Sequence, residues 1–179
     1  MAQLKSEMSR SIETGSIPAS GKDIEIEATE RERKAIAKRM GIISLESLKG
    51  KIILSYNRKD HTVEAEGRFA AKLTQECVVT LEPVPTEIKR GEIFALFAPA
   101  AVVAKLGAGS EEPDDELPEP INKDGTIDVG ELMLQHLALA IDPYPRKPGA
   151  VFKPPKLAPV AKVHPFAKLK KLKDAPKKK

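Results

Sequence analysis

The sequence predicts an α+β domain built on an antiparallel sheet, strongly curved or partly barrel-like, with two main helices packed on its open side. Three observations lead there. Strand-like stretches follow one another through short connections between Lys51 and Ala98, which suits a meander rather than βαβ units. Helix-start signals flank them at Thr29-Glu30-Arg31-Glu32 and Asp128-Val129-Gly130-Glu131, both with capping-box spacing. The apolar content, 41% of 179 residues, is enough for one core of ordinary size plus tails.

Met1 to Ser20 reads as mostly irregular, with a short strand at Ser9 to Glu13. Lys22 to Ala28 alternates cleanly and predicts a strand with Ile24, Ile26 and Ala28 inward. The helix opened at Thr29 runs to about Met40, where Gly41 can take the left-handed stop. Its apolar face is narrow, so Arg31, Glu32, Arg33, Lys34 and Lys38 are expected in solvent. Lys51 to Tyr56 and Thr62 to Phe69 form two strands around the turn residues Asn57-Arg58-Lys59-Asp60.

Residues 71 to 84 then predict the central strand, with Leu73, Cys77, Val79 and Leu81 on the inward parity and Pro83 and Pro85 closing the element. Thr86 to Ala98 supplies the next strand. Residues 107 to 126, with six carboxylates between Glu111 and Glu119, read as an acidic solvated loop. Val129 to Ile141 is the most apolar helix, and Leu132, Leu134, Leu137, Leu139 and Ile141 spread around most of its circumference, with Ala138 also assigned to the core. The domain therefore spans 21 to 142, between an N-terminal segment 1 to 20 and a tail 143 to 179.

Charge is segregated along the chain. The tail holds twelve basic residues against Asp174 alone, which makes it +11 and leaves −7 on residues 1 to 142 of a chain whose total is +4. Eight of the fifteen prolines also lie there, so its first part is no regular helix or central strand. Near residues 165 to 173 it regains helical spacing: Pro165 suits a first turn, Phe166, Leu169 and Leu172 form a stripe, and Lys168, Lys170, Lys171 and Lys173 surround it. A dense positive run with an apolar stripe is the footprint of a polyanion partner. Arg146, Lys147, Phe166, Lys168, Leu169, Lys170, Lys171 and Lys173 are accordingly the candidate RNA- or partner-binding residues.

Catalytic and metal chemistry find no support in the residue spacing. His61, His136 and His164 are far apart in sequence, His61 reads as a solvated partner of Asp60, and Gly107-Ala108-Gly109 lacks the flanking strand and helix of a phosphate loop. The single cysteine excludes an internal disulfide and reads as a small buried hydrophobe. No apolar run approaches 18 residues, so no membrane span is expected and the cytoplasm is the expected compartment. No cofactor, metal or small-molecule substrate is expected.

Three segments carry a family resemblance. Gln75-Glu76-Cys77-Val78-Val79-Thr80-Leu81-Glu82-Pro83-Val84 resembles the signature strand of the YceD family, the large ribosomal RNA subunit accumulation proteins of bacteria and chloroplasts. Ile127 to Leu132 with Leu139 to Arg146, and the tail segment Pro165-Phe166-Ala167-Lys168-Leu169, match in the same order, over roughly residues 9 to 173. Many relatives carry Cys-x-x-Cys in the signature; here its second position is Thr80, and one thiolate cannot hold zinc alone. The resemblance implies a non-enzymatic factor supporting accumulation of large-subunit ribosomal RNA, with ribosomal RNA or a large-subunit ribosomal protein as partner. The alternative is an adaptor that binds a ribosomal protein or assembly factor and affects RNA indirectly. An enzyme ranks last.

Overall fold

A computed structural model describes residues 6–109 and 117–152. Seven strands and three α-helices follow in chain order among them: β1 (Ser11–Glu13), β2 (Lys22–Glu27), α1 (Glu30–Met40), β3 (Ser44–Asn57), β4 (Thr62–Glu76), β5 (Pro83–Ala98), α2 (Ala100–Gly109), β6 (Glu119–Pro120), β7 (Thr126–Asp128) and α3 (Val129–Ala140). The main sheet has the order β2-β3-β4-β5-β6, antiparallel except for the short β5–β6 pair, and β1 pairs separately with β7. The α+β class and the antiparallel meander are as predicted. The sheet stays open, however: β2 forms one edge and does not pair back to the other, so it does not close into a barrel.

Local chemistry sets the helix ends. Thr29 Oγ1 accepts the Glu32 N–H while the Glu32 carboxylate accepts the Thr29 N–H, a complete capping box, and Gly41 ends α1 at φ 65°. Glu32 is not simply solvated as expected. Its carboxylate also receives both Arg10 guanidinium nitrogens, at 2.8 and 3.1 Å, and this pairing first of all holds its pKa down at about 2. At α3 the Asp128 carboxylate accepts from Gly130 and Glu131 N–H, but Glu131 turns away from the cap to pair with Arg39 of α1 at 2.7 Å. Glu7 joins Arg39 as well, the Arg10 N–H donates to the same Asp128 Oδ1 and the Ser9 hydroxyl to Oδ2, so the N-terminal strip ties α1 to α3.

The sheet has one covered and one open face. Leu48, Ile52, Leu54, Val63, Ala65, Phe69, Ala71, Leu73, Ile93, Ala95 and Phe97 point inward, where α1 packs on β3 and α3 on β5. Helix α3 contributes Leu132, Met133, Leu134 and Leu137; Ala138 and Leu139 face solvent, contrary to their assignment to the core. The helix α2 is a third one, where the composition predicted loop from residue 107. Two irregularities shape the sheet: Phe69 pairs Gly91 and Ala71 pairs Ile88, so Lys89 and Arg90 of β5 together oppose Ala70, and a second bulge lies between Leu45 and Ser47 of β3.

The predicted central strand over 71 to 84 is corrected. β4 is central, but it ends at Glu76, and residues 77 to 82 form a tight reversal into β5. The Cys77 N–H donates to Glu82 O and the Leu81 N–H to Cys77 O, both at 2.9 Å, with Leu81 at φ 61° and two-thirds exposed. Pro83 and Pro85 open β5 rather than close β4. They are tolerated because β5 has no partner on its far side there, so a missing donor is not missed.

Candidate functional site

The reversal at 77 to 82 is held from below by a segment some 70 residues further on. Gln75, the buried polar residue at the end of β4, donates from Nε2 to Asp142 O at 2.7 Å and accepts from Thr86 Oγ1. The Val78 N–H donates to Pro145 O at 3.0 Å, and Pro145 is buried. The Lys147 N–H donates to Cys77 Sγ at 3.3 Å, and Lys147 Nζ pairs with Glu82 Oε2 at 3.0 Å. Each contact needs a residue type that both segments supply: an amide side chain at 75, a donor at 78, a sulfur at 77, a carboxylate at 82. The start of the basic tail is thereby fixed to the hairpin tip.

Cys77 is fully buried, as predicted, but its surroundings are not those of a hydrophobe. The Lys147 N–H first, then the Thr80 hydroxyl, stabilise the thiolate against the opposing cost of burial, with the Thr80 and Val79 N–H groups adding to them. Together they bring the thiol pKa from 9.0 down to about 6. A folded-state pKa below the unfolded one stabilises fully above pH 9 and loses that stabilisation as the pH falls through about 6. The melting-temperature advantage of the parent over Cys77→Ala should therefore grow from pH 6 to pH 9; an advantage independent of pH would mean the thiol stays neutral.

Among the candidate residues, Arg146 is exposed beside this junction and Lys147 is engaged with Glu82. Phe166, Lys168, Leu169, Lys170, Lys171 and Lys173, and the short helix expected near 165 to 173, lie outside the described residues. So do residues 110–116 of the acidic loop. His61 meets the Tyr56 hydroxyl at 2.9 Å rather than Asp60, and His136 Nε2 donates to Phe94 O at 3.1 Å. Among the described residues no three of His, Cys, Asp and Glu gather as metal ligands. No described helix is long and apolar enough to cross a membrane.

The tip and its clamp join two of the three segments that carry the family resemblance, and the comparison with family models agrees: residues 65–173 match the family described as large ribosomal RNA subunit accumulation protein YceD. The chain belongs to the YceD family. Characterised proteins and solved structures gave no significant match. The match begins in β4, so it takes in the half of the sheet that carries the tip, helix α3 and, after it, Pro145 and Lys147, the YceD residues that meet the tip at Cys77 and Val78. The YceD description itself concerns accumulation of large-subunit ribosomal RNA.

The contact between tip and tail was not predicted. Its partners are 65 to 70 residues apart in sequence, and neither half has a spacing that points to the other. The one available signal was Gln75, a polar residue on the parity otherwise held by Leu73, Cys77, Val79 and Leu81.

Proposed function

We propose that this chain is a non-enzymatic cytoplasmic factor that supports accumulation of large-subunit ribosomal RNA in ribosome biogenesis, contacting RNA through the basic segment that begins at Arg146. The observation carrying this reading is the clamp at Cys77, Glu82 and Lys147, which gives a +11 segment a fixed point of departure from a body of net charge −7. A body of that sign repels phosphates at long range, so a tethered positive segment is the economical way to bring it to RNA.

Deleting residues 160 to 179 removes eight lysines and Asp174 and takes the net charge from +4 to −3. No described strand or helix lies there. Filter binding to large-subunit ribosomal RNA across a salt series should fall about tenfold or more at 150 mM salt, and the remaining salt slope should be shallower by several phosphates. Unchanged binding by the truncated protein would refute the tail as the RNA contact.

A second reading has its own observation. Val78, Leu81, Tyr144, Val151 and Phe152, at the tip and along the clamp segment, are all exposed, 46% to 72%. Exposed apolar side chains beside a positive segment suit a protein adaptor. In that case neither form binds purified RNA near 150 mM salt, and the truncation loses a large-subunit ribosomal protein instead.

A further inference from the structure

We propose that the helix-free face of the sheet carries a second phosphate-binding surface, centred on Ala70, which takes the backbone of the RNA that the tail engages. This rests on the reading that the chain contacts RNA, and it alters one part of it: the body does not only repel.

The surface follows from strand register. Outward-facing positions run across the sheet in rows, Glu25-Lys51-Arg68-Glu92 in one and Glu27-Lys49-Ala70 in the next. The bulge in β5 completes the second row by setting both Lys89 and Arg90 against Ala70, where a regular ladder would supply one residue. Ala70 is small, so the cations around it rim a depression of about 450 Å³ lined by Lys49, Lys51, Arg68, Lys89 and Arg90. Glu25 and Glu27 are the acidic residues in that lining, which leaves it at +3 within a part of the chain that totals −7.

Those five cations are exposed and available. Arg68 and Lys89 have no ion-pair partner among the described residues. Lys49 meets Glu27 at 2.9 Å and Lys51 meets Asp23 at 2.6 Å, but these pairs are half-exposed or more and each is worth little, so a phosphate can replace the carboxylate. Arg90 and Glu92 stand 3.9 Å apart. Strand geometry spaces the positive side chains on a grid of about 5 by 7 Å, a charged track rather than a point site. Phe69, the aromatic at this depression, is buried on the other face, and the exposed ring of Phe94 stands outside the lining, beyond Glu92 on β5, so the depression itself offers no ring for base stacking. The contacts would position a backbone without reading sequence.

The test uses three full-length proteins: the parent, one with Arg68→Ala, Lys89→Ala and Arg90→Ala, and one with Arg31→Ala, Lys34→Ala and Lys38→Ala. The second triple removes exposed cations from α1, in the layer behind the sheet, and each triple takes the net charge from +4 to +1. All six side chains are exposed, so thermal melts should overlay. With large-subunit ribosomal RNA transcribed in vitro as the probe, the slope of log affinity against log salt should fall by about 2 for the sheet triple and stay at the parent value for the α1 triple. RNA should also protect Lys49, Lys51 and Lys89 of the parent from acetylation. Equal losses in both triples would reduce the effect to overall charge and overturn the site. A sheet triple that binds like the parent would overturn it while the tail reading stands. A parent that shows no salt-dependent binding would remove the RNA reading and this surface together.

Discussion

Leu137→Ala is expected to destabilise the protein by about 2–5 kcal/mol, the range for deleting a buried leucine side chain. Leu137 has no exposed surface and lies in α3 one turn beyond Met133 and Leu134, which are equally buried in the core under the sheet. Leu139→Ala should stay within about 0.5 kcal/mol, because its side chain is 83% exposed and removes no core contact. Denaturant melts of the two variants measure the contrast. If both lose the same stability, α3 is not seated as described. The comparison also bears on function: the clamp residues Asp142, Pro145 and Lys147 follow α3 directly, so loosening the helix should also loosen the junction between tip and tail.

These two leucines mark where a one-dimensional pattern stops being informative. In a helix apolar on most sides, composition cannot choose the buried stripe; the strand it lands on does. Legible features were those whose chemistry is complete within a few residues. Thr29 and Glu32 satisfy each other's backbone, Gly41 takes its positive φ, Asp128 caps α3, and Ile26 alternates with charged neighbours in β2. The misread strand over 71 to 84 failed for a related reason. Alternation of Leu73, Cys77, Val79 and Leu81, broken only at Gln75 and Val78, carries on through a reversal, because Cys77 is buried by a long-range clamp and Leu81 merely happens to share its parity.

The same distinction divides the candidate site. Charge segregation is additive along a sequence, so the basic tail and Arg146 could be picked out from residue counts. Lys147 was grouped with them for its charge, and only its partners 65 and 70 residues away make it an anchor. The cations around Ala70 were hidden for the opposite reason: in sequence they are scattered over three segments, Lys49 with Lys51, Arg68 alone, and Lys89 with Arg90, and it takes three strands and a bulge to assemble them.

Phe69→Ala should be the most damaging single truncation in the sheet, about 3–5 kcal/mol and near the upper end of that range. The reason is what surrounds the ring. Phe69 pairs with Gly50 on one side and Gly91 on the other, and a Cβ built on Gly91 would collide with the Phe69 ring itself. Glycine on that neighbour lets the ring lie flat across the strand, and a neighbour without a side chain has nothing with which to fill the void when the ring is removed. On the other side Met133 of α3 already occupies the space above Gly50, where a Cβ would come within 2.7 Å of its sulfur. This gives a second, sharper expectation. Gly91→Ala alone should destabilise, because the ring must vacate its site, whereas in the Phe69→Ala background the added methyl enters the cavity and should recover part of the loss. A double-mutant cycle on denaturant midpoints should show a coupling of about 1–3 kcal/mol between the two positions, with the double variant more stable than the single losses would predict. Additive losses would mean that Phe69 does not lie over Gly91, and the inner face of β4 and β5 would need a different packing.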